Sequence, residues 1–133
     1  MLRTYYLLPL GAFLLALLPL ANAGQNVQMT YFLNASFTCQ NGVTTQGYSV
    51  YVVGSHPEVG KWDPANAVLL SPSNYPTWTG QVRFSGVQLD EKVEWKCIIR
   101  NEKNPQDVQK WQAGPNNEVI LTFSPQAQAT ATF

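Results

Sequence analysis

The sequence predicts an all-β fold, a sandwich or open barrel of about seven to eight strands. Three observations carry this. Apolar and polar residues alternate with a period of two in several short runs. Turn-forming clusters separate the runs at regular spacing. Beyond the first two dozen residues no run shows the spacing of an amphipathic helix.

The chain has 133 residues and opens on a segment outside that pattern. Arg3 gives a positive start and an apolar run follows from Tyr5 to Leu20. Ala21-Asn22-Ala23 then supplies the small residues a signal peptidase needs before Gly24. That layout is a secretory signal peptide over residues 1–23. As a membrane anchor, Leu7 to Ala21 falls short of the roughly 20 residues a spanning helix requires, and Pro9, Gly11 and Pro19 interrupt it. The expected mature chain, Gly24–Phe133, is a single domain, secreted (extracellular or periplasmic) and monomeric.

Met29–Cys39 and Ala129–Phe133 are the expected first and last strands. Ser49–Gly54 is apolar and β-branched around Tyr51. In Trp78–Phe84, Val82 and Phe84 share one face while Gln81 and Arg83 share the other. Val93–Arg100 alternates most cleanly, with Val93, Trp95, Cys97 and Ile99 inward and Glu94 and Lys96 outward. Glu118–Phe123 repeats the pattern through Val119, Leu121 and Phe123. Between them lie turn-rich segments at Gln40–Gly47, His56–Asn66, Ser71–Thr77, Asn101–Gln106 and Gly114–Asn117.

Arg3 is one of eight basic residues, so the mature chain sets seven against eight acids, a formal charge of −1. With no basic patch, nucleic acid and anionic membrane are poor partners. Asn, Gln, Ser and Thr are abundant, and such a surface suits a neutral, hydroxyl-rich ligand as well as plain solubility. Cys39 and Cys97 each sit on the inward parity of a strand. In an exported chain they either form one bridge between strands or pack as buried thiols. Asn34-Ala35-Ser36 is a glycosylation sequon, meaningful in a eukaryotic source.

Catalysis finds no footing. His56 stands alone in a Pro-containing loop, and without a second His or a Cys cluster no zinc or copper site assembles at the usual spacings. A copper monooxygenase would need histidine as its first mature residue, where Gly24 stands. Glycoside hydrolysis needs two carboxyl groups facing across a walled cleft. The acids here fall mostly in turns and at strand ends, and a domain this small has short loops. No enzyme activity, cofactor or metal is expected.

Of the four tryptophans, Trp95 has inward parity and belongs to the core. Trp62 and Trp111 lie among polar residues, in Gly60-Lys61-Trp62-Asp63-Pro64 and Lys110-Trp111-Gln112-Ala113-Gly114. Exposed indoles burden a soluble protein unless they have a use. One use is stacking on the C–H face of a sugar ring while nearby polar groups bond its hydroxyls. The residues alone leave that reading beside another, in which the two indoles cap the ends of the sandwich.

Six segments in order resemble the starch-binding domains of carbohydrate-binding module family 20, which are appended to many amylases and glucoamylases. They are Gly47…Val50-Tyr51-Val52-Val53-Gly54-Ser55, Glu58-Val59-Gly60-Lys61-Trp62-Asp63, Ala67–Leu70, Tyr75 with Trp78, Val93–Arg100, and Trp111-Gln112-Ala113-Gly114-Pro115-Asn116. The resemblance spans about Phe37 to Phe123. It implies an immunoglobulin-like antiparallel β-sandwich that binds starch-type α-1,4-glucan, as maltooligosaccharide or granular starch, without catalysis.

It also implies site residues. In a first carbohydrate-binding site, Trp62 and Trp111 form the platform and Lys96 and Asn116 bond sugar hydroxyls. Gln112 stands there where family members often have glutamate. A second, weaker site has Tyr75 at its centre, with Glu94 and Trp78 beside it. Trp78 shares parity with Val82 and Phe84, which favours a core role, and Gln46 replaces an aromatic of that site. The sandwich is expected to be free-standing. Two alternatives keep the scaffold and change the partner. An accessory protein recruiting a separate amylase would show an exposed apolar patch away from Trp62. An adhesive protein that had lost sugar binding would have Trp62 and Trp111 buried or not coplanar with a groove.

Overall fold

A computed structural model describes residues 27–133. The leader expected over residues 1–23 lies outside the described residues. Among these, nine strands form two sheets: β1 (Tyr31–Gln40), β2 (Tyr48–Gly54), β3 (Val68–Leu69), β4 (Ser71–Asn74), β5 (Thr77–Val87), β6 (Lys92–Asn101), β7 (Val108–Trp111), β8 (Asn117–Ile120) and β9 (Ala127–Thr132). The first sheet runs β4-β5-β1-β9. The second runs β3-β2-β6-β7, and β8 also pairs with β6.

The core lies between the sheets and is built by alternation. Leu33, Ala35, Phe37 and Cys39 of β1 point inward and are essentially unexposed, as are Val93, Trp95, Cys97 and Ile99 of β6. Trp95 meets Phe37 edge-on, with ring centroids 5.0 Å apart at 82°. Beside them Cys39 and Cys97 form a disulfide across the sheets, with Cα atoms 6.1 Å apart.

β2 and the later half of β6, from Lys96 to Arg100, are covered on their other face too. Tyr51, Val53 and Ile98 point away from the main core yet are covered, because Trp62, Ala67 and Val108 pack over them. A strand covered on both sides has no solvated face to mark with polar residues, which is why β2 is an apolar run.

Several details depart from expectation. β1 and β9 pair in parallel, from Ala35 opposite Ala127 to Gln40 opposite Thr132, so the sandwich is not purely antiparallel. Ser71–Asn74, expected as turn, is an edge strand on β5. It follows β3 directly because the chain steps between sheets at buried Leu70. Phe123, expected inward, is 71% exposed. The ladder of β8 ends at Ile120, Leu121 bonds the backbone of Asp90 and Glu91, and the chain then turns, so parity is lost.

The disulfide closes a separation of 58 residues. Replacing both cysteines by serine is expected to lower stability by about 2–4 kcal/mol. Denaturant unfolding of oxidised wild type against the variant checks this.

Candidate functional site

Trp62 reaches the surface through a strained turn. Two short 3₁₀ segments, Pro57–Trp62 and Pro64–Asn66, connect β2 to β3. Gly60, Lys61 and Trp62 have successive φ values of 86°, 51° and 66°. At Gly60 a side chain would also collide with the Asn66 carbonyl, since a Cβ would lie 2.8 Å from its oxygen. Left-handed backbone at a lysine and a tryptophan costs of order 1–3 kcal/mol each and persists only where surroundings enforce it.

Those surroundings are visible. The His56 carbonyl accepts from the amides of Val59 and Lys61, and the Gly60 carbonyl from that of Asp63. Asp63 Oδ1 accepts from the Ala65 amide at 3.0 Å, capping the second turn. Arg100, 8% exposed on the outward face of β6, donates from Nη1 to the Pro64 carbonyl at 2.9 Å and from Nη2 to the Tyr51 hydroxyl at 3.0 Å. Its guanidinium carbon lies 3.9 Å from the Tyr51 ring centroid. On the far side, Glu58 Oε1 accepts from the Ser85 hydroxyl at 2.9 Å and the Ser85 amide at 3.3 Å, tying the turn to the first sheet. Burial works to raise the Glu58 pKa. Hydrogen bonds from Ser85, the Glu58 amide and His56 outweigh it and hold the carboxyl below its ordinary range.

The rest of the first site gathers on the same outer face. Trp62 is half-buried against Tyr51, Val53 and Ile98. Trp111 stands opposite Ile98 on β7 and is 42% exposed. Lys96 is two residues from Ile98 and, as expected, faces outward. Its Nζ donates to the carbonyls of Gln112 (2.8 Å) and Gly114, bracing the loop that carries Asn116. Asn116 is exposed at that loop's tip and donates from Nδ2 to Glu94 Oε1 at 3.2 Å.

Three expected site residues fall elsewhere. Gln112 is 8% exposed and turned inward. Its Oε1 accepts from the Cys97 amide and from Asn117, and its Nε2 donates to Asn117 Oδ1. Its carboxamide thus anchors the loop, because the residue after outward Trp111 takes the opposite parity. Glu94 belongs with Asn116, at the opposite end of β6 from Asn101. Tyr75 sits near that Asn101 end, where its hydroxyl accepts from the Thr44 amide at 3.1 Å. Trp78 is 4% exposed and donates from Nε1 to the Gly42 carbonyl at 2.8 Å. It supports Tyr75 from below, with centroids 6.2 Å apart, and its own ring is not a surface. Tyr75, 51% exposed, keeps an open face, and Gln46 is exposed as the replacement of an aromatic would have it.

Arg100 and Tyr51 escaped the sequence reading. Both have outward parity in strands, but only the register that sets Tyr51 opposite Ile98 brings them together. Arg100→Met keeps the packed stem and leaves the Pro64 carbonyl without its donor. It is expected to cost about 1–3 kcal/mol and to speed amide exchange at residues 57–66 before that of β1. Hydrogen exchange with denaturant unfolding reads both.

Comparison with known proteins identifies the family. A family model described as starch binding domain matches residues 33–131. Glucan 1,4-alpha-maltotetraohydrolase of Roseateles saccharophilus is 49% identical over 88 residues, 65% of this chain and 15% of that protein. Cyclomaltodextrin glucanotransferase of Klebsiella oxytoca is 46% identical over 83 residues, covering 62% and 12%. The chain therefore spans about an eighth to a sixth of the length of these relatives. Among solved structures, the family 20 CBM of a maltotetraose-forming amylase from Pseudomonas saccharophila superposes with a TM-score of 0.67 at 43% identity, over 76% of this chain and all of that one. With the family model spanning nearly all of the sandwich, the chain belongs to the starch binding domain family.

Proposed function

We propose that this chain binds starch-type α-1,4-glucan by stacking glucose units on Trp62 and Trp111, with Lys96 and Asn116 bonding sugar hydroxyls, and that it performs no chemistry on the glucan. The observation carrying this is the turn that holds Trp62 in left-handed backbone on the outer face where Trp111 also stands. Partial exposure of both indoles suits a platform and argues against their use as buried end caps. Gln112 acts through the loop it anchors, and Glu94 acts by orienting Asn116. Tyr75, on its Trp78 support, offers a single stacking face and a weaker second contact.

Sugar hydroxyls are well hydrated, so each exchanged hydrogen bond nets only about 0.5–1.5 kcal/mol. Ring stacking therefore carries most of the affinity, in the range of about 1 μM or weaker. A neutral ligand also releases no counterions, so salt has little effect.

The protein is further read as exported, with residues 1–23 removed and the Cys39–Cys97 bridge formed outside the cytoplasm. The mass of the exported protein, corresponding to a start at Gly24, checks this reading. A mass that retains the leader would overturn it.

Titration with β-cyclodextrin, followed by tryptophan fluorescence, tests the site. The wild type is expected to give a saturable change, nearly independent of ionic strength. Trp62→Ala and Trp111→Ala are each expected to weaken binding by about tenfold or more, which is about 1.4 kcal/mol. Unchanged affinity in both variants would remove the tryptophan platform from the reading.

A further inference from the structure

The outer face of the first sheet is polar and nearly uncharged. In register across β1 and β5 stand Asn34 with Arg83, Ser36 with Gln81, and Thr38 with Thr79. On the other side of β1, Ser36 meets Gln128 and Thr38 meets Thr130. Of these positions only Arg83 is charged.

At one end of this face two large aromatics stand out from the fold. Phe32 is 61% exposed and Phe123 is 71% exposed. Both line one cleft, together with Asn34, Thr122 and Gln126. The Arg83 guanidinium lies 4.4 Å from the Phe32 centroid. Gln126 donates from Nε2 to Ser36 Oγ at 2.9 Å, which fixes its carboxamide and leaves Oε1 as an acceptor. Thr122 donates its hydroxyl proton to the Pro125 carbonyl at 2.7 Å, which leaves its oxygen as an acceptor too.

Beyond the Gln126–Ser36 bond lies a second, longer groove of about 330 Å³, lined by Ser36, Thr38, Thr79, Gln81 and Gln128. That volume is at the lower end of ligand clefts, roughly 300–1,000 Å³.

We propose that this face is a further glucan-contact track, separate from the tryptophan site and from Tyr75, on which Phe32 and Phe123 hold one pyranose ring and the hydroxyl and amide ladder holds the chain running from it. Charge complementarity points to that occupant. The residues lining the two clefts carry no charge, and the one charged group beside them, the Arg83 guanidinium, covers one face of Phe32 and leaves the other open; this lining matches an uncharged polyol with apolar ring faces. The track rests on the glucan reading for its ligand class and uses none of the residues of the tryptophan site. The two faces lie on opposite outer sides of the sandwich, so one molecule bridges two glucan chains and does not lengthen its grip on one.

The test uses the protein and a Trp62→Ala/Trp111→Ala variant, each titrated with maltoheptaose. Side-chain amide resonances of Asn34, Gln126 and Gln128 are followed by NMR alongside tryptophan fluorescence. The amides are expected to move saturably in both proteins, with the fluorescence change lost only in the variant. Phe32→Ser/Phe123→Ser alters exposed positions and should leave the fold and β-cyclodextrin affinity intact. It is expected to abolish the amide shifts and to lower retention on granular starch by about tenfold or more, since one of two linked contacts is gone. Amides that stay still while fluorescence responds would overturn the track and leave the tryptophan site standing. Amide shifts that vanish in the tryptophan variant would also overturn it. A response in the amides without one in fluorescence would support the track and count against the tryptophan site. No response in either would overturn both.

Discussion

From Lys96 to Arg100 strand β6 is covered on both faces, and through that double burial the core and the proposed binding surface share one support. Its inner residues lock the sheets together through the Trp95–Phe37 contact and the Cys39–Cys97 bridge. Its outer residues Ile98 and Arg100 carry the turn that presents Trp62, and Lys96 braces the loop that presents Asn116. Neighbouring positions on one strand thus serve the interior and the site in alternation. Packing that immobilises the core at Cys97 also immobilises the outward positions Lys96 and Ile98, because a segment covered on both sides has little room to shift.

That rigidity matters because the ligand class offers weak individual contacts. A sugar that exchanges water for protein hydrogen bonds gains little from each, and affinity depends on having the aromatic faces in place beforehand. The left-handed backbone at Lys61 and Trp62 is consistent with this need. A relaxed turn would direct the indole elsewhere, and the strain is held by Arg100, Asp63 and Glu58 from three directions. Arg100 is the most heavily used of these, since it joins the turn, the Tyr51 ring and β6 in one network. A buried guanidinium in such a place is stabilising only because its donors find partners.

The two outer faces differ in chemistry. On the second sheet loops cover the apolar Tyr51, Val53 and Ile98, and the open end carries the Lys92–Glu118 ion pair. On the first sheet a nearly uncharged polar surface lies open between β5, β1 and β9, ending at Phe32 and Phe123. A protein that meets an insoluble, uncharged polymer gains from contacts on more than one side, because a second weak contact slows release far more than its own strength suggests.

Much of this was legible along the chain. The period-2 alternation of Val93–Arg100 placed Trp95 and Cys97 inside and Lys96 outside, and it placed Trp78 with the core residues Val82 and Phe84, because pleating sends successive side chains to opposite faces whatever lies across from them. The glycine and proline around Trp62 marked a turn for equally local reasons. What the chain could not reveal is who stands opposite whom. The parallel seating of β9 on β1, the pairing of Glu94 with Asn116, the inward amide of Gln112 and the clasp of Arg100 on Pro64 all join residues distant in sequence. Phe123 lost its expected parity when the chain left the ladder at Ile120. Local pattern determined which side each strand residue faces, and the packing of two sheets decided its partners, since register and loop closure are set by contacts across the whole domain.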